Sequence, residues 1–167
     1  MHKGRKFLIQ TIIVPFLIAI TTLTAEAQNM SQIDIATKYY NALYSGEYDT
    51  VRSVASPDML FEDPTAPEEF GIPSRIESLD ECLKFIEANT PGKIEIEFTD
   101  KYVSNDRVVL KVKMNGTAPA EIFDMGEEGN VAFTMKGVSI LHVVDGRVIH
   151  HSDYMDYSGT VLRKLED

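Results

Sequence analysis

The spacing of apolar residues along this chain changes once, and that change limits the folds open to it. In the first half, apolar residues recur at helical intervals, as Ile35, Tyr39 and Leu43 do. From Lys93 onward, apolar and polar residues alternate, which is the period of a strand with one buried face. Helices followed by a run of antiparallel strands are typical of an α+β domain, and 167 residues suit a single one.

Three helices are predicted before the change. Ser31, with Asp34 three residues later, forms a capping box for the first helix, and Gly46 ends that helix. A short second helix is predicted over Tyr48 to Ala55. A second capping signature, at Ser78, opens the third helix.

The strands are predicted mainly in the second half. A short strand, Met59–Phe61, and a loop over Thr65–Glu77 separate the second helix from the third. Four longer strands follow: Lys93–Val103, Arg107–Thr117, Val131–Val144 and Arg147–Asp156. Asp145-Gly146 is a strong hairpin signal between the last two strands. Gly137 indicates a bulge, and the tail Tyr157–Leu165 is predicted as a short helix.

Residues 1–27 are predicted to be a signal peptide rather than part of the fold. A basic stretch at residues 2–6 precedes an almost uncharged apolar run, Phe7–Leu23, and Ala25-Glu26-Ala27 supplies a small-x-small cleavage site. A membrane anchor is the competing interpretation, but polar residues and a proline interrupt the run and no basic cluster follows it. Export would leave residues 28–167 as one domain, periplasmic or secreted and free of the membrane after cleavage.

The acidity of the chain argues against one class of partner. The formal net charge is −10, and removal of the basic leader makes the mature part more negative still. Such a surface repels phosphate backbones, and no basic patch with interleaved aromatic residues is present, so no nucleic-acid partner is expected. Cys82, the only cysteine, lies at helical spacing among apolar residues and is predicted to be buried rather than reactive.

Two groups of residues carry a family resemblance in the N-terminal half. The run at 38–43 with the turn at 46–49, and then Phe61-Glu62-Asp63-Pro64, resembles ketosteroid isomerases without an apparent gap. The resemblance implies that Tyr39 donates a hydrogen bond to the oxygen of a dienolate and that Asp63 is the general base. It also implies proton transfer beside a carbonyl without any cofactor.

The C-terminal hairpin extends the resemblance to nearly the whole mature chain. The stretch at 143–148 and Asp153-Tyr154-Met155-Asp156 resemble SnoaL-like polyketide cyclases and limonene epoxide hydrolases. These and the isomerases belong to the nuclear transport factor 2-like or SnoaL-like superfamily. The resemblance implies a cone-shaped, curved antiparallel sheet wrapped around N-terminal helices, a cavity for a small hydrophobic molecule, and a homodimer. Asp153 matches the aspartate that acts in the cyclases and hydrolases.

The chain departs from both patterns at specific positions. Ser139 stands where the isomerases place a protonated aspartic acid as second oxyanion donor. Loss of a good oxyanion donor costs roughly two to three orders of magnitude in rate, so the ketosteroid reaction itself is not expected. The hydrolases need an arginine and an aspartate where this chain has Lys113-Met114-Asn115, so their way of activating water is not expected either.

His151 and Asp153 form a second candidate acid–base pair. Period two places them on the same face of one strand. The adjacent His150 points to the opposite face, so only His151 and Asp153 could share an ion. A third ligand is not evident, and we therefore expect no metal site. A solvent-facing pair that merely stabilises the hairpin is the alternative interpretation.

The same residues also fit simpler structural roles. Tyr39 could be an aromatic side chain packed in the core, and Asp63 an ordinary turn aspartate before proline. Three functions therefore stay open: a cofactor-independent isomerase or cyclase acting on a small hydrophobic carbonyl compound, an exported protein that only binds such a molecule, and a module that dimerises through the outer face of its sheet. The enzyme would use Tyr39, Asp63, Ser139, His151 and Asp153.

Overall fold

The computed structural model describes residues 30–67, 73–89, 94–123, 125–126 and 128–165. The helices are α1 (Gln32–Ser45), α2 (Tyr48–Val54) and α3 (Leu79–Asn89). The strands are β1 (Ala55–Glu62), β2 (Arg75–Ile76), β3 (Glu95–Ser104), β4 (Arg107–Pro119), β5 (Asn130–Val144), β6 (Arg147–Met155) and β7 (Val161–Lys164), with a 3₁₀ turn at Ala120–Phe123. The predicted signal peptide lies outside the described residues.

Local signals set the ends of the helices as predicted. At the start of α1, Ser31 and Asp34 form the expected capping box, and Gly46 ends the helix at φ 76°, a left-handed conformation that glycine adopts without strain. At the start of α3, the backbone N–H of Glu81 donates to Oγ of Ser78 at 3.2 Å. Both caps satisfy amide groups that the first turn of a helix leaves without partners.

The sheet confirms the α+β class and adds one feature that the sequence did not predict. Its strand order is β2-β1-β6-β5-β4-β3, and β7 pairs with β5 beyond the end of β6. The sheet is curved, unclosed and mixed: β1 runs parallel to β6, with Phe61 beside His151, while the other pairs are antiparallel. The expectation of an antiparallel sheet was therefore wrong for the β1–β6 pair.

Two other local predictions were wrong. The tail is not a helix: Val161–Lys164 forms β7, which pairs with Val131–Thr134 of β5. Gly137 is not at a bulge, because it sits in regular register with both Val112 and Met155. A side chain there would meet Sδ of Met155 and lie 2.8 Å from the carbonyl oxygen of Tyr154, so glycine is required by the close approach of β6.

The core lies between the helices and the concave face of the sheet. Helix α1 lies across β3, β4, β5 and β6, and α3 packs against β1. Tyr39, Tyr40 and Leu43 of α1 are fully buried, and so is Cys82 of α3, as predicted. Burial raises the pKa of the Cys82 thiol to about 12, so the thiol stays protonated. No helix in the described ranges is long and apolar enough to cross a membrane.

Candidate functional site

The centre of the sheet places polar side chains on its concave face. In the pairing of β5 with β6, Ser139 lies opposite Asp153 and Leu141 lies opposite His151. Because side chains alternate along a strand, all four point to the same face, towards α1. Ser139, His151 and Asp153 are 0%, 0% and 2% exposed. The sheet thus brings three of the five predicted site residues together in the core.

The Asp153 carboxylate is surrounded by donors. The Tyr44 hydroxyl donates to Oδ2 at 2.9 Å. The Ser139 hydroxyl donates to Oδ1, and Nε2 of His151 lies 2.9 Å from the same oxygen. A buried carboxylate with three donors is an acceptor on both oxygens, which is the arrangement that holds it ionised.

His151 joins this carboxylate to the predicted oxyanion donor. Its Nδ1 lies 3.2 Å from the Tyr39 hydroxyl, while Nε2 faces Asp153. The ring is enclosed by Tyr39, Tyr40 and Phe61, with centroid distances of 5.5, 5.5 and 5.0 Å. The three polar groups form a hydroxyl–imidazole–carboxylate relay that is shielded from water.

The tyrosines of α1 complete the cluster. The Tyr40 hydroxyl lies 3.0 Å from Oγ of Ser139. A serine hydroxyl has one hydrogen, so with Ser139 donating to Asp153 the hydrogen between Tyr40 and Ser139 comes from Tyr40. The Tyr40 and Tyr44 rings pack at a centroid distance of 4.9 Å. We call this group of buried polar residues the central cluster: Tyr39, Tyr40, Tyr44, Ser139, His151 and Asp153.

The two kinds of acid in the central cluster have pKa values shifted in opposite directions. Burial raises the pKa values of Tyr39, Tyr40 and Tyr44 well above the ordinary tyrosine value, with the negative charge of Asp153 acting in the same direction. Burial also acts to raise the pKa of Asp153, but the attraction and hydrogen bond of His151, with the hydroxyls of Ser139 and Tyr44, outweigh it. The pKa of Asp153 therefore lies below its usual value, and the phenols stay donors.

Asp63 belongs to a second polar cluster, at the end of β1. The backbone N–H of Thr65 donates to its Oδ1 at 3.1 Å and the Thr65 hydroxyl at 2.8 Å, while the Tyr157 hydroxyl donates to Oδ2 at 2.6 Å. Thr65 Oγ1 also accepts from the backbone N–H of Met155 at 2.8 Å. Asp63 is 4% exposed. The described hydrogen bonds of Asp63 do not join it to the central cluster.

Sequence reasoning missed Tyr40 and Tyr44 in the central cluster and Thr65 and Tyr157 around Asp63. A signal existed for the first two, because residues four apart on a helix share a face and Tyr40 directly follows the predicted Tyr39. No local signal existed for Tyr157, whose partner is 94 positions away in sequence.

Two surface clefts of the described residues lie away from the central cluster. One, of about 380 Å³, lies between β2 and α3 beside Arg75, Ile76 and Phe85. The other, of about 470 Å³, lies on the convex face of the sheet beside Lys111, Val138 and Tyr154. Within the described ranges, no three histidine, cysteine, aspartate or glutamate side chains are placed to hold a metal ion.

Comparison with protein families agrees with the fold. Residues 36–151, more than half of the chain, match the model of the SnoaL-like domain. The chain therefore belongs to the SnoaL-like domain family. The match begins within α1, at residue 36, and runs as far as His151 of the central cluster. A search of curated proteins finds no significant match.

Solved structures share the architecture at low sequence identity. A candidate SnoaL-like polyketide cyclase from Shewanella putrefaciens CN-32 is 19% identical, with a TM-score of 0.65 over 89% of this chain and 94% of that chain. One from Shewanella denitrificans OS-217 is 19% identical, with a TM-score of 0.66 over 76% and 91%. An LEH-like epoxide hydrolase from M. tuberculosis is 15% identical, with a TM-score of 0.57 over 76% and 84%. At these identities the likeness shows the fold alone.

Proposed function

We propose that this SnoaL-like domain is an acid–base enzyme, an isomerase or cyclase without a cofactor, whose substrate is a small hydrophobic carbonyl compound. The observation that supports the proposal most is the position of His151, completely buried between the Tyr39 hydroxyl and the Asp153 carboxylate. A core histidine with a carboxylate on one nitrogen and a hydroxyl on the other is arranged to move a proton.

The relay can act in two protonation states. When the imidazole is neutral and Nε2 donates to Asp153, Nδ1 accepts the hydrogen of Tyr39. When the imidazole is protonated, Nδ1–H donates to the Tyr39 oxygen, and the Tyr39 hydrogen is free for another acceptor. In the structure Sδ of Met59 lies 3.6 Å from this hydroxyl. A substrate carbonyl that replaces this thioether would gain a stronger hydrogen bond, because an oxygen that becomes negative is the better acceptor.

The proposed role of Asp63 is separate from this relay. The family resemblance assigns it as general base, and its carboxylate is buried with Thr65 and Tyr157 as donors. If Asp63 takes the substrate proton and Tyr39 stabilises the oxyanion, Asp153 and His151 act on the Tyr39 side, with Ser139 as an auxiliary donor. The two clusters would then serve opposite ends of one transfer, and each can be removed alone.

A matched pair of histidine variants tests the relay. His150 and His151 are adjacent on β6, but His150 points to the opposite face of the sheet, where it is half-buried and its Nε2 lies 3.0 Å from Oε2 of Glu62. Exchange of α-hydrogens for deuterium is measured by NMR on a panel of steroid-, terpenoid- and polyketide-like ketones. We expect His151→Gln to slow exchange by about a hundredfold or more and His150→Gln to leave it within a few-fold. Equal rates in the two variants would contradict the proposal.

A second candidate function is a non-catalytic module that binds a hydrophobic ligand or a second copy of the chain. One observation favours it: every buried side-chain polar atom of the described residues has a partner, so the central cluster is complete without a ligand. Tyr102 and Tyr154, 57% and 42% exposed on strands of the sheet, would contribute to a homodimer face. Native mass spectrometry tests both forms of this function. A dimerising module predicts a dimer in wild type that is lost in Tyr154→Asp. A ligand-binding protein predicts a bound lipid-like molecule that is retained after Asp63→Asn.

The proposal includes export. It is supported by the order of basic, apolar and small residues in the first 27 positions. Expression of the full chain with a cleavable-signal control, followed by intact-mass analysis, should give a product that begins at residue 28. A product that retains residue 1 and stays with the membrane would favour the anchor instead.

A further inference from the structure

The two oxygens of Asp153 have unequal sets of donors, and the difference singles out one tyrosine. Oδ1 receives both Ser139 and His151, whereas Tyr44 is the described donor to Oδ2. Tyr44 comes from the last turn of α1 and reaches across to β6, 109 positions later in sequence. It contacts the carboxylate, and the described hydrogen bonds do not join it to His151 itself.

We propose that Tyr44 is a positioning residue that keeps the Asp153 carboxylate an acceptor for His151 and so holds one imidazole hydrogen on Nε2. The other ring nitrogen, Nδ1, is then the one that faces the Tyr39 hydroxyl. This assignment rests on the proposed acid–base function for its purpose, although the contact itself does not depend on turnover.

The surroundings of Asp153 support a role for a neutral donor, the Tyr44 hydroxyl, at Oδ2 of the carboxylate. The groups that face it are phenols from α1 (Tyr39, Tyr40 and Tyr44), the Ser139 hydroxyl from β5, the His151 imidazole from β6 and the Cys82 thiol from α3. The Tyr157 hydroxyl, in the turn before β7, also feels the charge of Asp153, and Asp63 acts on Tyr40 from the end of β1. In this set His151 is the one group able to carry a positive charge, and the remaining support for the carboxylate comes from hydroxyl hydrogen bonds. Without Tyr44, Oδ2 would be buried with no described donor, which disfavours the ionised form.

Tyr44 is also suited to this role by its own chemistry. Burial, followed by the charge of Asp153, raises the pKa of its hydroxyl, so it remains a donor wherever the carboxylate is ionised. Its ring packs against Tyr40, which fixes the direction from which the hydroxyl approaches. Removing only the oxygen keeps that packing, so Tyr44→Phe isolates the hydrogen bond.

The test follows the Asp153 carboxyl directly. The full chain is labelled with ¹³C at aspartate carboxyls, and the Asp153 signal is assigned by its absence in Asp153→Asn. The carboxyl signal is titrated in wild type, in Tyr44→Phe and in Tyr48→Phe, which removes the same atom from a half-buried tyrosine of α2 that is not hydrogen-bonded to Asp153. We expect the midpoint to rise by about one pH unit in Tyr44→Phe and to stay unchanged in Tyr48→Phe.

A second measurement at neutral pH decides the matter if acid unfolds a variant before the carboxyl titrates. The Nε2–H proton signal of His151 should move upfield in Tyr44→Phe, because a carboxylate that is no longer held at Oδ2 can turn away from Nε2, and its hydrogen bond to the imidazole then weakens. No upfield movement, together with any midpoint measured being equal to that of Tyr48→Phe, would overturn the proposal. Neither readout needs a substrate. A shifted midpoint in a protein whose His151→Gln variant keeps full activity would therefore uphold the positioning role and reject the catalytic one.

Discussion

Asp153 and Asp63 are both aspartates buried in one small domain, yet they are held in different ways. Asp153 is 2% exposed, and its donors come from α1, β5 and β6, which are regular elements packed across the middle of the sheet. Asp63 is 4% exposed, and its donors are Thr65, two residues away, and Tyr157 in the turn before β7. Among the described residues, Asp153 has a histidine partner and Asp63 has none.

The difference shows that two equally buried carboxylates can be held in different ways. A carboxylate built into the centre of three elements can hold a neighbouring imidazole in one orientation, and acid–base chemistry depends on orientation. A carboxylate between a loop and a C-terminal turn mainly joins two chain segments. Asp63 therefore ties the end of β1 to the end of β6 through Thr65 and Met155, whatever further role it has.

The largest effect should come from Asp153→Asn. The amide cannot accept on both sides, so at least one of the three donors loses its partner in the core. We expect the free energy of unfolding to fall by about 3 kcal/mol, measured by urea denaturation at neutral pH. A loss no greater than that of the matched Asp63 variant would remove the distinction between the two clusters.

Asp63→Asn should cost about 2 kcal/mol, less than Asp153→Asn, because Thr65 is exposed and Tyr157 is half-buried, so water can replace one of the lost partners. Hydrogen exchange should show that the loss of stability is confined to the backbone near Asp63. The amide of Met155, which donates to Thr65, should exchange faster, while amides in the middle of β5 keep their protection. Faster exchange throughout β5 would show that Asp63 stabilises the whole sheet.

Tyr157→Phe removes one donor from Asp63 and keeps the ring. We expect a loss of about 1 kcal/mol, measured in the same urea titration. Combined with Asp63→Asn, it should add almost nothing, because an asparagine that turns its one oxygen to Thr65 has no acceptor left for the Tyr157 hydroxyl. Additive losses in the double variant would mean that Tyr157 stabilises the domain through other contacts.

The smallest effect is a difference in pH dependence. The pKa of Asp153 is lower in the folded protein than its ordinary value of 3.8 because its partners outweigh burial. Its contribution to stability is therefore complete above pH 3.8 and is lost as the pH falls through the lower, folded value. Wild type should lose stability more steeply than Asp153→Asn over that window, as measured by thermal unfolding. Parallel curves would contradict the shift.

Much of the fold could be predicted because its signals are local. The capping box at Ser31, the cap at Ser78 and the Asp145-Gly146 turn each depend on a few neighbouring residues, and each lies where it was predicted. The predictions that were wrong depend on distant partners. A four-residue tail strand shows no clear period, and β7 exists because Val131–Thr134 offers an unpaired edge beyond β6.

Some members of the candidate site could be predicted from the sequence, and others could not. Period two places His151 and Asp153 on one face, and the structure puts them 2.9 Å apart. The family resemblance pointed to Tyr39 and Ser139, which lie in the same cluster. It could not show that Tyr44 faces Asp153, because the angle at which α1 crosses the sheet depends on the whole core.

The parallel pairing of β1 with β6 has a consequence for the order of events during folding. Glu62 and His150 are in contact although 88 positions separate them in the chain. Contacts this distant in sequence close large loops and slow the search for the native state. A growing chain that has not reached β6 lacks the strand that β1 pairs with, so β1 keeps an open edge able to pair with other chains. The domain is therefore most prone to aggregate before the last hairpin is made, and variants that delay this hairpin should lower the yield of soluble protein more than they lower its stability.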